Sequence, residues 1–197
     1  REAQGAIPPP PLAEGAPSPI SYTVPLLRTG NAVLVEVLLD GFLKSQLLVD
    51  TGAEVTMISK ELAQQLGLDM DNAAILQLQS VSGTFPAPLT KVKSITVGGA
   101  TVRDVEVIVH DMPGNHQGLL GMSFLDNFHV SISTEKKEMS LTALSDIPGT
   151  KLYDGHPEDW WKHKFRFYRR QIANLDAELK RRPSPTSEKT LRYFQME

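Results

Sequence analysis

The sequence contains no cysteine. That absence removes disulfides, thiol nucleophiles, iron–sulfur clusters and thiolate zinc sites together, and it leaves the redox compartment open. Long apolar runs are missing as well. Nothing approaches the ~20 residues that cross a bilayer, and no basic start, apolar stretch and small-residue cleavage site marks a signal peptide. Charge excess is small: 20 Lys and Arg against 23 Asp and Glu give a formal net charge of -3, which offers no electrostatic case for a nucleic-acid partner. The histidines, His110, His116, His129, His156 and His163, form no HExxH pair or other close metal-binding pattern, so neither a metal nor a cofactor is expected and most of them are expected at the surface. No serine sits in a nucleophile elbow. Gly98-Gly99-Ala100 lacks the lysine and spacing of a phosphate-binding loop.

What is present is an ordinary globular balance, with 41% hydrophobic and 22% charged residues, and 197 residues suit one domain with appendages. Composition divides the chain into three stretches. Residues 1–20 are rich in Pro, Ala and Gly with no periodic apolar pattern, and read as a disordered, polyproline-like linker. Residues 21–145 carry short runs of Val, Ile, Leu and Thr separated by Gly, Asn and Asp, the pattern of an all-β domain. Strands are expected at 22–27, 32–39, 42–49, 55–58, 75–81, 85–97, 101–109, 128–133 and 138–142. Asp40-Gly41 and Gly98-Gly99 tolerate the positive φ of tight hairpin turns, and Glu135-Lys136-Lys137 makes the last turn. A short helix is expected from Ser59 as N-cap to Gly67 as terminator, and a weaker one over 122–127.

Residues 146–197 form a C-terminal extension. A helix over about 157–182 is expected, with Pro157 at its first position, acids in its first turn and bases in its last. Trp161, Phe165, Tyr168, Ile172, Leu175 and Leu179 recur at spacings of four and three and define one stripe. That stripe has three readings: packing on the β domain, pairing with a second copy or a partner protein, or lying on an anionic membrane surface. After Pro183, SPTSEKTLRYFQME reads as a tail.

The run Leu47-Leu48-Val49-Asp50-Thr51-Gly52-Ala53 carries the chemistry. An apolar strand delivers the Asp50 carboxylate to a partly buried place where its protonation can be tuned. Gly52 lets another backbone or a substrate approach closely, and Thr51 can fasten the loop by its hydroxyl. A pair of carboxylates sharing a proton can activate water with one member and protonate a substrate carbonyl with the other. One such loop supplies half of that pair.

The run VDTGAEVTMIS, followed by a short helix and Gly67-Leu68, resembles the retropepsin family of aspartic proteases, which includes retroviral proteases and related bacterial single-domain proteins. Further on, Gly118-Leu119-Leu120-Gly121-Met122-Ser123-Phe124-Leu125 resembles the family's second element. Between them lies Gln79-Ser80-Val81-Ser82-Gly83-Thr84, where the family places its flap. The resemblance covers residues 22–144. It implies an all-β, partly closed barrel with short helices, and a homodimeric endopeptidase needing no cofactor or metal. By the same resemblance Asp50 is catalytic and Thr51, Gly52 and Ala53 complete the active-site loop. Leu119, Leu120 and Gly121 brace that loop, and Ser82 and Gly83 form the flap tip over a bound peptide. Retroviral members end soon after the second element with a strand that builds the dimer interface. Here a hairpin over 128–142 and a helix follow, which leaves the mode of dimerisation open. Two alternatives stand beside this reading: a catalytically silent dimerisation or peptide-binding module of the same fold, and a precursor whose linker or helix blocks dimerisation. Asp111 and His116 either border the cleft or lie on a solvated loop. The start at Arg1 followed by a Pro-rich spacer reads as the stalk of an exported or membrane-anchored protein whose anchor precedes this chain. The bacterial cell envelope or periplasm is the expected compartment, with the cytoplasm left open.

Overall fold

The computed structural model describes residues 19–29, 32–80, 83–147 and 149–196. The expected linker over 1–20 falls almost wholly outside the described residues, as do Ser82 and Pro148. Strands β1 (Ser21–Pro25), β2 (Leu27–Thr29), β3 (Ala32–Leu39) and β4 (Leu43–Val49) lead to the Asp50 loop, and β5 (Thr56–Ile58) and helix α1 (Lys60–Gln65) follow it. β6 (Ala74–Ser80) and β7 (Gly83–Val97) form a long hairpin, β8 (Ala100–Val109) returns, and β9 (Gly118–Leu120) precedes helix α2 (Met122–Leu125). β10 (Phe128–Ser133) and β11 (Glu138–Ala143) make a further hairpin. A small pair, β12 (Leu152–Tyr153) and β13 (His156–Pro157), introduces helices α3 (Glu158–Arg181) and α4 (Pro185–Met196).

Alternation in the sequence sets the faces of the sheet. In β3, Val35, Val37 and Leu39 are buried while Glu36 between them is exposed, as a period of two requires. The main sheet runs β2-β3-β4-β9-β5-β8-β7-β6, and a second pairing of β3 with β7 at Leu38↔Thr96 and Leu39↔Ile95 closes β3, β4, β9, β5, β8 and β7 into a ring. Inside it Leu39, Leu47, Ile58, Ile95, Leu120 and Phe124 are fully buried, each worth about 1.5–3 kcal/mol of transfer free energy. β1, β11 and β10 form a separate antiparallel sheet that contributes Met139 and Leu141 to the same core. The turns take the forms read from sequence: Asp40 and Gly41 have φ of 50° and 78°, and Gly98 and Gly99 have 57° and 98°. Ser59 caps α1, its Oγ accepting from the Leu62 amide at 3.2 Å.

β6 and β7 run on together past the end of β8. The β7–β8 register begins at Leu89↔Ile108, whereas the β6–β7 register continues through Gln77↔Pro86 to Ser80↔Gly83. The prolines therefore fall where β7 has left β8 and needs no donor on that side, the position a strand tolerates. Phe85, within this two-stranded ribbon, stacks on His110 at 4.0 Å between ring centroids.

Three local readings of the sequence differ from the structure. β9 escapes detection because its three residues are buried on both faces, so they show no alternation. The stretch read as a tail is helix α4. Pro185 occupies its first position, and the Ser184 carbonyl accepts from the Glu188 amide at 3.0 Å. A helix this short is marginal alone, and burial of Ser187, Thr190 and Phe194 holds it. The face of α3 is also shifted. Phe167, Tyr168, Gln171 and Leu175 are buried, while Phe165 of the expected stripe is 49% exposed and packs on Trp161, because apolar packing of α3 against the sheet starts at Phe167. Of the three readings of this helix, the structure displays packing on the β domain: Phe167, Tyr168, Leu175 and Phe194 form a second core with Val55, Leu76, Leu89 and Ile108.

Candidate active site

β4 ends at Val49, and Asp50 follows as a half-buried residue with Thr51 and Gly52 exposed beyond it. The loop is folded onto its own carboxylate. The Gly52 amide donates to Asp50 Oδ1 at 2.9 Å, and the Ala53 amide donates to the Asp50 carbonyl at 3.3 Å. A Cβ on Gly52 would sit 3.2 Å from Asp50 Oδ1, so glycine is the residue that fits this approach.

Leu119, Leu120 and Gly121 are brought directly against the loop. β9 pairs parallel with β4 at Leu48↔Leu119 and Val49↔Leu120, and the Asp50 amide donates to the Leu120 carbonyl at 3.1 Å. The Met122 amide donates to the Ala53 carbonyl at 2.8 Å, so both ends of the loop are tied to one short segment. Gly121 lies so close that an added Cβ would meet Ala53 O, Val55 C and Val55 O, each at 2.8 Å.

Two hydroxyls missed by sequence reasoning lock this junction. Thr56 Oγ1 accepts from the Gly121 amide at 3.1 Å, and Ser123 Oγ accepts from the Thr56 amide at 2.9 Å. Ser123 Oγ also donates to the Glu106 carbonyl at 3.0 Å. Thr56 is fully buried, and nothing local in the sequence marks it or Ser123 for this contact.

The remaining candidates separate. Gly83 begins β7 at φ 119° and pairs with Ser80 across the ribbon, while its expected companion Ser82 lies outside the described residues. Asp111 serves helix α1: its Oδ1 accepts from the Lys60 amide at 3.0 Å, which holds its carboxyl below the ordinary range, and Oδ2 lies 3.4 Å from Lys60 Nζ. Its place is the solvated surface. His156 and His163 dock the start of α3. His163 Nδ1 lies 2.7 Å from Asp126 Oδ2, and His156 stacks on Trp160 with Nδ1 2.8 Å from Asn127 Oδ1. Burial raises the Asp126 carboxyl although the His163 bond opposes the shift. Among the described residues no group of three His, Asp or Glu side chains is placed to hold a metal ion.

Helix α3 runs along the flank of the Asp50 loop. A cavity of about 240 Å³ lies between them, lined by Thr51, Gly52, Val55, Met122, His163 and Phe167. On the other side of Phe167 a cavity of about 700 Å³ reaches the ribbon, lined by Glu54, Gln77, Leu78, Phe167, Arg170 and Asn174. Arg170 pairs with Glu54, and both side chains are about half exposed.

Residues 35–124 match the family model described as aspartyl protease, a span that includes the Asp50 loop, the ribbon and the β9 segment. The chain also matches the crystal structure of a retropepsin-like aspartic protease from Rickettsia conorii with a TM-score of 0.52 and 23% identity. That match covers 64% of this chain and 94% of the other. At that identity the likeness shows the fold. No curated protein matches the chain.

Proposed function

We propose that this chain, which carries a retropepsin-like aspartic protease domain, is an endopeptidase whose active site forms between two copies, each contributing Asp50. The family-model match and the fold support protease function. The observation that carries the proposal is the Asp50 carboxylate itself, half-buried and fixed by the Gly52 amide on a loop whose next residues are exposed. The other acid of that loop, Glu54, is paired with Arg170, and a second copy related by two-fold symmetry supplies the partner carboxylate.

In the paired site one carboxylate is ionised and the other protonated, because like charges at close range do not both ionise. The ionised member takes a proton from water as its oxygen adds to the scissile carbonyl carbon. The protonated member gives its proton to the carbonyl oxygen. Collapse of the resulting tetrahedral carbon breaks the C–N bond, with a proton delivered to the departing nitrogen. The amides and carbonyls that hold each loop are in place before the reaction, so charge develops in a preorganised setting. In this reading the β6–β7 ribbon, with Gly83 near its turn, acts as the flap over an extended peptide.

The test is cleavage of a diverse peptide library between about pH 4 and 8 by the wild-type chain and by Asp50→Asn, with dimer fraction recorded in parallel. A bell-shaped profile that rises with dimer fraction and vanishes in the variant is the expected result. A demonstrable dimer that cleaves nothing would move the assignment to a silent peptide-binding module.

A further inference from the structure

Glu106 is out of place by ordinary rules. It is 8% exposed, in the middle of β8, between Val105 and Val107. Its side chain faces the C-terminal helices. Oε1 accepts from the Tyr168 hydroxyl of α3 and from the Tyr193 hydroxyl of α4 at 3.2 Å, and Lys164 Nζ lies 4.0 Å away. Lys164 is itself boxed in by aromatic rings, over Trp160 at 5.0 Å and over Tyr168 at 5.3 Å. A buried polar cluster of this kind is seldom the most stable filling for such a site, since apolar residues of similar volume are often neutral or better. What it supplies is a fixed position for residue 106.

That position matters because of the other side of the same residue. The Glu106 carbonyl accepts from Ser123 Oγ, Ser123 Oγ accepts from the Thr56 amide, and Thr56 Oγ1 accepts from the Gly121 amide. Gly121 lies between Leu120, whose carbonyl holds the Asp50 amide, and Met122, whose amide holds the Ala53 carbonyl. A continuous set of hydrogen bonds thus joins two tyrosines of the extension to both ends of the Asp50 loop.

We propose that Glu106 is a positioning residue through which Tyr168 and Tyr193 of the C-terminal helix pair hold the Asp50 loop in its working geometry, so the extension is a built-in part of the site. The effect on turnover rests on the protease reading; the effect on loop geometry does not. An extension that only obstructed the site would behave with the opposite sign, since loosening its contacts would speed cleavage. Small misplacements of a reacting group are costly, on the order of a hundredfold for about 1 Å.

The experiment uses full-length variants and two readouts. In Tyr168→Phe/Tyr193→Phe, which keeps both rings, kcat on a library-derived peptide is expected to fall about tenfold or more, with KM and dimer fraction within about twofold of wild type. Amide hydrogen exchange at Thr56 and Gly121 is expected to speed up by a similar factor, while amides of the β10–β11 hairpin stay unchanged. Glu106→Gln retains the acceptor oxygen and is expected to preserve most of both readouts. Glu106→Leu, which keeps the bulk alone, is expected to reproduce the defect. Wild-type exchange at Thr56 and Gly121 in the double variant would overturn the proposal, as would faster turnover or a Leu variant equal to the Gln variant. A wild-type chain that cleaves nothing counts against the protease reading alone, and the exchange readout then decides the positioning role by itself.

Discussion

The Asp50 amide donates to the Leu120 carbonyl at 3.1 Å, which fastens the residue that leaves β4 to the last residue of β9. This contact explains why a strand of only three residues exists. Gly118–Leu120 enters between β4 and β5, parallel to one and antiparallel to the other, and the Leu120 carbonyl becomes the anchor for a loop that has turned away from its own sheet.

Gly121 sets how close that anchor can come. Replacement by Ala places a methyl 2.8 Å from backbone atoms of Ala53 and Val55, none of which can swing aside as a flexible side chain would. Gly121→Ala is expected to cost about 1–3 kcal/mol, with Tm lower by roughly 2–4 °C per kcal/mol for a chain of this size. Calorimetric melting measures this, and an unchanged Tm would contradict the close approach.

Asp50→Asn should behave in the opposite way. An Asn side-chain oxygen can still accept from the Gly52 amide, so the loop keeps its fold and Tm is expected within about 2 °C of wild type. Cleavage, which requires an ionisable group, should drop by about a thousandfold or more. Retention of activity at the same Tm would remove Asp50 from the reaction.

The legibility of the sequence follows the range of the forces involved. Strands such as β3 were readable because buried Val35 and Val37 flank exposed Glu36 in a β-branched run, and the turns at Asp40-Gly41 and Gly98-Gly99 because positive φ narrows the choice of residue. The Asp50 loop was readable from an apolar strand meeting a short polar turn. The Thr56–Ser123 contact joins residues far apart in the chain, and a hydroxyl carries no local mark of its future partner. The burial of Glu106 was not legible, because nothing in β8 itself announces the tyrosines that cover it. Phe165 and Phe167 exchanged roles for a similar reason: helical spacing defines a stripe, but the sheet beneath α3 decides which edge of it is buried.

The helix pair is held by apolar burial and not by its most visible ion pair. Arg170 and Glu54 are each 48% exposed at the side chain, a setting in which a salt bridge contributes about 0–1 kcal/mol. Phe194 is 3% exposed and meets Phe167 and Tyr168 edge-on at 6.1 and 5.0 Å. Phe194→Ala is therefore expected to cost about 3–5 kcal/mol, against less than about 1 kcal/mol for Arg170→Ala. Urea unfolding of both variants checks the order, and equal losses would mean that the ion pair is stronger than its exposure allows.

Acid should weaken the start of α3 through His156. Burial and then the neighbouring Lys164 ammonium hold its imidazole below the ordinary value near 6.5, with Asp154 opposing them. Above that value both folded and unfolded chains carry a neutral ring, and the stability is fully present. As pH falls below it, the unfolded chain takes up a proton that the folded chain resists, so stability is lost until the folded value is passed. His156→Phe keeps a ring on Trp160 and cannot titrate. The buried Asp126 carboxyl, raised above its usual range, contributes stability in the other direction as pH falls, but it is common to both proteins and cancels in their difference. The Tm of wild type minus that of His156→Phe is expected to be constant above about pH 6.5 and to fall steadily toward pH 5. A difference that stays flat across this range would mean that His156 is as readily protonated in the folded chain as in the unfolded one.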